Sequence, residues 1–557
     1  MRAMFRAYVL AALLAGVAAK EAPCDVLVAG GSLASLAAAV TAANATPAPS
    51  VCFLEITDWP GGQLTASGVP CPDFGPDNGQ PNNLPASFAA FLWGPTMPGD
   101  TNLGRCWVSR KCMQAPHAIA AFVTPLLAAL PNLRVYMQTA VLHAARDGAT
   151  GAITGVTAVR RAPVAGTTGY EVPLSQQVED WYDPANSARF TKETLELTLS
   201  PAGVVIEATE FGDVLSTGAS LPLAQGIEAP FENSTASITS CGQAMTYPFS
   251  VLYSAAPAPS PDPVPPGDAE GEPWGSQGQT WERVWTYRRS LSKPTATIDD
   301  VVAGDISCQN IGGGNDAINV YPFLPTDSPE FARQRATPTA WRGGVNVTAL
   351  HSAEQRAFAF YHHYINSPNA SRGTAGHLSM AAEQMGTAHG LSKMPYLRDA
   401  RRSAAGLGGF RLTYSDLADA DPRNKSYAVR WADTVAIGTY YYADIHKMDA
   451  AFCALPAYLT KGSGAAILPY FIPFRALTVA GAPNLLVAGK SLAQTFWASA
   501  GTRLHPEEWA SGVAAGAAAA WMARLGLDSA AALARVGELQ GILAGAGQPL
   551  WWSPPAH

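Results

Sequence analysis

Charged residues are scarce in this chain of 557 residues, of which only 14% are Asp, Glu, Lys or Arg. Typical globular domains carry about 25%. No run of Lys and Arg occurs, and 43 acidic residues outnumber 36 basic ones. A phosphate backbone therefore finds no basic surface, which excludes nucleic acid as a partner. Because hydrophobic residues make up 48%, we expect a globular chain with a large core.

Long apolar runs are missing after the first residues. Residues 1–19 contain two arginines, then an apolar run, then small residues at positions 17 and 19. The run has about ten residues, half of the ~20 that a membrane-spanning helix needs. The pattern predicts a signal peptide, residues 1–19, with an uncleaved anchor as the alternative. We expect no transmembrane anchor and a location outside the cell or in the endomembrane lumen.

Cysteine patterns typical of metal sites are absent as well. There is no Cys-x-x-Cys pair and no Cys/His cluster with metal-ligand spacing, so no metal is predicted. The eight cysteines are an even number, and an exported chain permits disulfides. Sequons for N-glycosylation, which predict a glycoprotein, stand at Asn44, Asn233, Asn346, Asn369 and Asn424.

The segment after residue 24 is typical of a strand, a tight turn and a helix. Residues 25–29 are an apolar run, residues 30–35 read GGSLAS, and residues 36–43 are rich in alanine. A second apolar run, residues 51–54, ends at Glu55. This order predicts a dinucleotide site, where the helix N-terminus binds pyrophosphate and the acid binds ribose hydroxyls. Since Ser32 and Ser35 replace two expected glycines, an ordinary βαβ unit without a ligand stays an alternative.

The same strand order predicts a disulfide between Cys24 and Cys52. Both cysteines lie at the starts of strands that neighbour each other in a parallel dinucleotide-binding sheet. A bond requires Cα atoms about 4.4 to 6.8 Å apart, which adjacent strands provide. Cys106 and Cys112 form a second candidate pair.

Four further segments extend the pattern: residues 57–68 (TDWPGGQLTASG), 203–213 (GVVIEATEFGD), 394–402 (MPYLRDARR) and 484–506. With residues 30–55, this order resembles the secreted and bacterial FAD-dependent oxidoreductase family that shares the two-domain glutathione-reductase-type (GR2-like) flavin fold. The resemblance covers most of residues 24–526. It implies an α/β fold in which a FAD-binding Rossmann-like domain with a mostly parallel sheet is joined to a mixed β-sheet and helical substrate domain.

The resemblance also implies FAD as the cofactor and assigns residues to its parts. The pyrophosphate residues are Gly30, Gly31, Ser32 and Ser35, the ribose residue is Glu55, the adenine residue is Val141, the residues beside the flavin are Gly61, Gly62, Gln63 and Leu64, and the end of a returning strand supplies Ala208 and Thr209. Glu210 stands where relatives of this fold commonly carry glycine, which leaves the local turn unpredicted.

The C-terminal part carries its own signals. Residues 484–488 are an apolar strand that ends at Gly489, and Pro506 with two acids predicts the start of an alanine-rich helix through residue 523. Gly512 and Gly516 allow this helix to pack closely. The predicted domains are residues 20–213 with 431–526 for FAD, 214–430 for the substrate with a Pro-rich loop at 255–273, and a C-terminal tail at 527–557.

No second dinucleotide fingerprint is present, so no NAD(P)H domain is expected. The Gly-rich residues 310–316 are assigned to a loop because no strand and helix are predicted around them.

Oxidation by a flavin requires a base and a cation near the substrate. His505 and His446 lie in flavin-associated segments and are candidate acid/base residues, with a structural histidine as the alternative for each. Arg503 resembles the arginine that binds substrate anions in flavoproteins related to fumarate reductase.

We predict a secreted FAD-dependent oxidoreductase that oxidises a small-molecule organic substrate by hydride transfer to flavin N5, with dioxygen as the electron acceptor. A carbohydrate-active enzyme and a secreted non-catalytic protein that retains the flavin fold are the alternatives.

Overall fold

The computed structural model describes residues 21–73, 83–93, 106–109, 111–217, 221–228, 237–258, 280–290, 301–318, 320–366, 376–438, 440, 442–446 and 465–552. The predicted signal peptide and residues 259–273 of the predicted Pro-rich loop lie outside these ranges, as do the sequons at Asn233 and Asn369.

The strands of the described residues form one large sheet and several short ones. In chain order they are β1 (Cys24–Ala29), β2 (Val51–Leu54), β3 (Leu133–Tyr136), β4 (Thr139–Arg146), β5 (Ile153–Pro163), β6 (Phe190–Glu207), β7 (Leu223–Ala224), β8 (Ile227–Glu228), β9 (Ser237–Ile238), β10 (Met245–Thr246), β11 (Phe249–Tyr253), β12 (Arg289–Ser290), β13 (Ile306–Gln309), β14 (Asp316–Ala317), β15 (Leu378–Met380), β16 (Arg402–Ser403), β17 (Ala420–Asp421), β18 (Asn424–Ala428), β19 (Thr434–Gly438), β20 (Tyr442–Ala443), β21 (Ala465–Ala466), β22 (Tyr470–Pro473), β23 (Thr478–Val479) and β24 (Ala482–Val487).

The helices range from single turns to 21 residues. In chain order they are α1 (Leu33–Ala43), α2 (Ala86–Trp93), α3 (Ala115–Ala118), α4 (Thr124–Ala128), α5 (Val178–Tyr182), α6 (Asp213–Thr217), α7 (Trp281–Tyr287), α8 (Pro329–Arg335), α9 (Val347–Ile365), α10 (Tyr414–Ala418), α11 (Phe496–Thr502), α12 (His505–Leu525), α13 (Ser529–Ala534) and α14 (Val536–Gly545). A π-helical turn, Ile119–Val123, joins α3 to α4.

Five parallel strands in the order β3–β2–β1–β6–β24 form the centre of the large sheet. Their apolar side chains are buried, as is usual for parallel strands. The first half of β6 pairs antiparallel with β5, which pairs with β4. The predicted α/β fold with a mostly parallel sheet is therefore confirmed.

Helix α12 packs against α1 through two glycines. A Cβ atom at Gly512 would lie 2.3 Å from the Ala34 carbonyl oxygen, and one at Gly516 would lie 2.3 Å from the Ala38 carbonyl oxygen. Only glycine allows such an approach. As predicted, α12 has Pro506 in its first turn and acids near its N-terminus.

A second core surrounds the antiparallel sheet β12–β13–β11–β15. Trp281 of α7 stacks on Trp285 and on Tyr364 of α9, with ring centroids 5.3 Å apart in both pairs. Most members of this core come from residues 245–397. The mixed sheet and helix structure expected for the second domain is present here.

The predicted C-terminal tail contains α13 and α14. Leu539 and Leu543 of α14 are fully buried in the main core. The described part of this segment therefore packs into the same core as the large sheet.

Candidate functional site

Two serine side chains hold the turn between β1 and α1. Ser32 is the N-cap of α1: its Oγ accepts a hydrogen bond from the Ser35 N–H at 3.2 Å and donates one to the Ala208 carbonyl oxygen at 2.7 Å. Ser35 Oγ accepts from the Gly31 N–H at 3.2 Å and donates to the Ser32 carbonyl oxygen at 2.7 Å. Of the two serines that replace the expected glycines, Ser32 therefore caps the helix and Ser35 holds the turn before it.

A carboxylate of the chain itself lies at the N-terminus of α1. Glu508 Oε2 accepts a hydrogen bond from the Leu33 N–H at 3.2 Å, and its Oε1 accepts one from Lys490 Nζ at 2.6 Å. Lys490 also donates to Glu210 Oε1 at 3.0 Å. All three charged side chains are buried. Since helix N-termini favour anions, Glu508 fills a position that suits a phosphate.

Glu55 follows β2 and is fully buried. Its Oε1 accepts hydrogen bonds from the N–H and the Oγ1 of Thr57, both at 3.0 Å. Its Oε2 has no hydrogen-bond partner. Burial is the main cause that raises the pKa of Glu55 to about 8. A buried polar atom without a partner is costly, and a ribose hydroxyl would satisfy it.

The segment expected beside the flavin is a 3₁₀ turn, Gly62–Leu64. Gly61 and Gly62 have φ angles of 117° and 51°, the left-handed region that favours glycine. A Cβ atom at Gly62 would lie 2.6 Å from Ser32 Cα. Gln63 Nε2 donates to the Arg503 carbonyl oxygen at 3.1 Å, while Gln63 Oε1 has no partner. This turn therefore links α1 to the C-terminal segment.

The end of β6 lies beside the turn between β1 and α1. The Ala208 N–H donates to the Ala29 carbonyl oxygen at 2.9 Å, and Thr209 Oγ1 accepts from the Asp213 N–H at 2.9 Å. In the turn that follows β6, the residue with a left-handed backbone conformation is Gly212, whose φ is 66°. A glutamate at position 210 is therefore compatible with the turn.

The other assigned residues surround α1 and β4. Gly489, with φ 62°, donates its N–H to Ser511 Oγ at 3.0 Å. A Cβ atom at Gly489 would lie 3.0 Å from Ala34 Cβ. Gly512 contacts α1 as described above. Val141 is a buried residue of β4 that pairs with Ala158 of β5.

These residues fit a dinucleotide such as FAD. The unpartnered Glu55 Oε2 suits a ribose hydroxyl, and the unpartnered Gln63 Oε1 can accept a hydrogen bond from a ring N–H. The start of α1 already binds a carboxylate and can bind a phosphate by the same N–H donor.

A pocket lies beside the start of α12. It brings together His446, Arg503 and His505, the three residues that the sequence indicates for proton transfer and substrate binding. The other lining residues are Val69, Asp73, Tyr287, Arg288, Asn310, Tyr396, Arg398, Tyr440, Asp444 and Leu504.

His446 lies between two aspartates, and each aspartate is also bonded to an arginine. Its Nδ1 is 2.7 Å from Asp316 Oδ2, and its Nε2 is 3.2 Å from Asp444 Oδ2. Arg398 donates to Asp316 Oδ1, and Arg503 donates to Asp444 Oδ2, both at 2.9 Å. Burial opposes ionisation of both aspartates, but the neighbouring cations outweigh it and hold the pKa of each below its ordinary value. Two ionised carboxylates therefore flank the imidazole.

His505 has a different environment because it is almost fully buried at the start of α12. Its Nε2 is 3.0 Å from the Val69 carbonyl oxygen, to which it donates, and its Nδ1 has no partner. Burial lowers the pKa of His505 to about 3, and the hydrogen bond to Val69 opposes this only in part. His505 is therefore neutral at physiological pH and offers Nδ1 as a hydrogen-bond acceptor.

Arg288 and Asp73 add charge to another part of the pocket. Arg288 Nη1 donates to the Asn310 carbonyl oxygen at 2.8 Å, and the guanidinium lies 4.2 Å from the ring centroid of Tyr287. Burial raises the pKa of Asp73 to about 6, although Arg288 opposes the shift. Arg288 and Arg503 each have a buried Nε without a partner.

Among the charged residues that the sequence did not indicate, Asp444 and Arg288 line the pocket, and Asp316 is bonded to His446. Asp316 ends the Gly-rich segment that was assigned to a loop, and the structure has β13 before that segment and β14 at its end. Asp444 stands two residues before His446. An acid beside a candidate histidine was the available signal for Asp444, whereas nothing local indicates Arg288.

The arginines of residues 394–402 differ in role. Arg398 reaches the pocket, while Arg401 Nη1 donates to the carbonyl oxygens of Phe211 and Gly343 at 2.9 Å. Arg402 Nη2 donates to Glu228 Oε1 at 3.1 Å. Arg401 and Arg402 are thus structural.

Both predicted disulfides are present. Cys24 and Cys52 are bonded with Cα atoms 5.8 Å apart, and Cys106 and Cys112 with Cα atoms 6.4 Å apart. Cys241 is also disulfide-bonded, and Cys71 and Cys308 are free and buried.

Over the described ranges, no helix is long and apolar enough to cross a membrane. In the same part of the chain, no group of three His, Cys, Asp or Glu side chains is placed to hold a metal ion.

The chain can be aligned with several solved structures. The alignment with a mutant of E. coli quinol fumarate reductase FrdA covers 94% of this chain and 75% of that one, with 11% identity and a TM-score of 0.30. The alignment with Mycobacterium smegmatis Sdh1 in complex with UQ1 covers 95% and 77%, with 12% identity and a TM-score of 0.28. That with p-nitrophenol 4-monooxygenase PnpA from Pseudomonas putida covers 42% and 48%, with 12% identity and a TM-score of 0.23.

No curated protein matches the sequence. The family model described as FAD dependent oxidoreductase matches residues 25–170 and 167–543, which together make up most of the chain. The chain therefore belongs to the FAD dependent oxidoreductase family, and it is an oxidoreductase whose cofactor is FAD.

Proposed function

We propose that this protein is an exported flavin oxidase or dehydrogenase that oxidises a small polar organic substrate in the pocket lined by His446, Arg503 and His505. The observation that carries the proposal is the position of His446, which faces the pocket between Asp316 and Asp444. Bound FAD would supply the hydride acceptor, flavin N5. The protein must then supply a proton acceptor and a cation for the substrate.

His446 is the proton acceptor in this proposal. Its Nδ1 hydrogen is directed to the buried Asp316 at 2.7 Å. Its Nε2 makes the longer contact of 3.2 Å with Asp444, in the pocket. When the imidazole is neutral with its hydrogen on Nδ1, a substrate hydroxyl or amine can take the place of Asp444 and give its proton to Nε2, and Asp316 then stabilises the imidazolium.

Arg503 and Arg288 position the substrate. Arg503 is held by Tyr396, whose hydroxyl accepts a hydrogen bond from Nη1 at 2.8 Å, and by Asp444. Its carbonyl oxygen accepts from Gln63, in the turn assigned to the flavin. The unpartnered Nε atoms of both arginines favour a substrate with an anionic or strongly accepting group.

The lining residues of the pocket come from both predicted domains. The lining residues that come from residues 214–430 are Tyr287, Arg288, Asn310, Tyr396 and Arg398, whereas the other lining residues flank that range. This division supports a substrate domain at 214–430 that closes over the FAD-binding part.

Export and glycosylation belong to the same proposal. The disulfides are compatible with an oxidising compartment, and the sequon residue Asn424 is exposed in β18. Dioxygen is the proposed electron acceptor in that compartment, since the sequence contains no second dinucleotide fingerprint.

Anaerobic reduction of the bound flavin tests the proposal. The purified full chain should carry about one FAD per molecule, and a panel of alcohols, amines, hydroxy acids and sugars should include a compound that bleaches the flavin absorbance. Readmitted air should restore the absorbance. A flavin-loaded protein that every class of the panel leaves oxidised would contradict the proposed reaction, and recovery only with an artificial acceptor would contradict dioxygen.

A further inference from the structure

The buried cluster formed by Glu210, Lys490 and Glu508 contains more acid than base. Lys490 is bonded to both carboxylates, and Glu508 also accepts the Leu33 N–H at the start of α1. With all three side chains ionised, the cluster carries one negative charge. Such a charge in a buried site is costly unless a proton or a cation compensates it.

The groups that face this cluster are few. Glu55 lies close enough for Glu210 to raise its pKa, and Asp58 has the same effect on Glu55. His505 is at the start of α12, and Lys490 lowers its pKa. Helix α1 and the turn Gly62–Leu64 have no titratable side chain. Lys490 is therefore the single cation bonded directly to the two glutamates among the described residues.

A bound FAD brings a pyrophosphate with two negative charges to the start of α1. The pyrophosphate would compete with the Glu508 carboxylate for the Leu33 N–H, which Glu508 Oε2 occupies in the FAD-free chain. Both anions cannot remain ionised there with only Lys490 to balance them, because like charges repel strongly in a buried site.

We infer that FAD binding releases the Glu508 carboxylate from the Leu33 N–H and is coupled to the uptake of one proton from solvent by the Glu210–Glu508 pair. The inference rests on FAD occupying the site described above. Under this coupling, the two glutamates make FAD binding sensitive to pH. The presence of FAD alone does not imply such a dependence.

Two further observations support the coupling. Glu210 Oε2 is buried and has no hydrogen-bond partner, so a proton can be added there without breaking a bond. Burial raises the pKa of Glu210 to about 7, an effect that Lys490 opposes and Glu508 reinforces. The pair can therefore gain a proton near neutral pH.

The sign of the pH dependence follows from linkage. Below about pH 7 the free protein already holds the proton, so FAD affinity should not change with pH. Above that pH each binding event must take up a proton, so the dissociation constant should rise about tenfold per pH unit. FAD affinity is thus expected to be high in acidic compartments and to weaken in alkaline ones.

Calorimetric titration of the FAD-depleted full chain with FAD measures the coupling directly. At pH 8, titrations in two buffers with different ionisation enthalpies should give an uptake of about one proton per FAD. Titrations from pH 6 to pH 9 should give a constant dissociation constant at the acid end and a rising one at the alkaline end.

Glu210→Gln and Glu508→Gln remove one titrating group each. Both variants should lose most of the proton uptake and bind FAD about tenfold or more tightly than the parent at pH 8.5. Glu354→Gln is the matched control, since Glu354 is a buried glutamate bonded to Ser175 in the second core, and it should behave like the parent.

The outcomes separate this inference from the proposed function. A parent protein that binds FAD equally well from pH 6 to pH 9 without proton uptake overturns the coupling and leaves the FAD site intact. A correctly folded parent that binds no FAD at any pH overturns the cofactor site itself. If either variant does not fold, the proton count of the parent decides.

Discussion

Two histidines line the pocket, and their surroundings give them different chemistry. His446 is flanked by Asp316 and Asp444, which stabilise a positive charge on the imidazole. His505 is buried, its pKa is lowered to about 3, and Lys490 and Arg503 oppose protonation further. The first can hold a substrate proton, whereas the second is suited to accept a hydrogen bond.

This contrast predicts different effects of the same substitution. His446→Gln should lower the rate of flavin reduction by about 10²- to 10⁴-fold, the usual contribution of a general base. FAD content should stay unchanged because His446 is bonded to Asp316 and Asp444 and not to the turns assigned to FAD. His505→Gln should cost less, since the amide can still donate to Val69.

Stopped-flow absorbance with the bleaching substrate measures both rates. Rates that fall equally in the two variants would contradict the assignment of the base to His446.

Glu55 provides a second prediction at the scale of one side chain. A buried polar group that is left without a hydrogen-bond partner costs about 1 to 3 kcal/mol, and the buried Glu55 Oε2 would be the partner of a ribose hydroxyl. Glu55→Ala should therefore weaken FAD retention by about tenfold to a hundredfold, with folding largely intact. Glu55→Gln should lose less because the amide still bonds one hydroxyl.

FAD released by heat after dialysis gives the retained fraction. Thr57→Val is an informative companion, because it removes the hydroxyl that donates to Glu55 Oε1 and leaves Oε2 untouched. Wild-type flavin content in Glu55→Ala would remove the ribose assignment.

At the scale of elements, local signals explain what the sequence could predict. The segment from β1 to β2 combines an apolar run, a serine cap and an acid at the strand end, all within 32 residues. The start of α12 follows from Pro506 and its neighbouring acids. Each of these features depends on residues close in sequence, so the sequence predicts the element and its place in the cofactor site.

The pocket lacks such local signals. Asp316 belongs to β14 and Asp444 follows β20, and both strands have only two residues, too short for an apolar period. Long-range pairing, such as that of β10 with β14, brings Asp316 to His446. The sequence therefore indicated the histidines and Arg503 one by one but not the carboxylates that set their chemistry.

The contact between α1 and α12 leads to a prediction about packing. Gly512→Val would place a Cβ atom 2.3 Å from the Ala34 carbonyl oxygen and would push the helices apart. Overpacking of this kind costs typically about 1–3 kcal/mol. Glu508 lies on α12, and the turn assigned to the pyrophosphate lies at the start of α1. FAD content should therefore fall together with stability.

Gly541→Ala is the matched control in α14, where a Cβ atom would meet nothing within 4 Å. It should raise stability by about 0.5–1 kcal/mol through helix propensity. Urea unfolding measures both variants, and a stable Gly512→Val with full FAD content would contradict the close helix contact.

At the scale of the whole molecule, several of the scarce charged side chains are buried. Burial is the main cause that raises the pKa of Glu55 and Glu207 to about 8 and that of Glu210 and Asp213 to about 7. All four follow strands of the central sheet or end one of them. Near neutral pH, the folded chain therefore holds protons on these carboxyl groups that an unfolded chain would release.

These buried acids predict how stability depends on pH in the FAD-free protein. A carboxyl with a raised pKa favours folding below its unfolded pKa of about 4, and this advantage is lost as pH rises to the folded value of about 7 to 8. The free energy of unfolding should therefore fall from pH 5 to pH 8. His505 opposes the trend only below about pH 6.5, where the unfolded imidazole gains a proton.

Asp213→Asn tests one contribution without removing its contacts. Asp213 accepts hydrogen bonds from the Tyr182 hydroxyl at 2.8 Å and from Trp341 Nε1 at 3.1 Å. The asparagine amide can keep both, because the tyrosine hydroxyl can also accept. Urea midpoints measured from pH 5 to pH 8 should fall less in this variant than in the parent, with the two curves diverging toward pH 7 and running parallel above it. Parent midpoints that stay level or rise over this range would show that the buried acids are ionised at little cost.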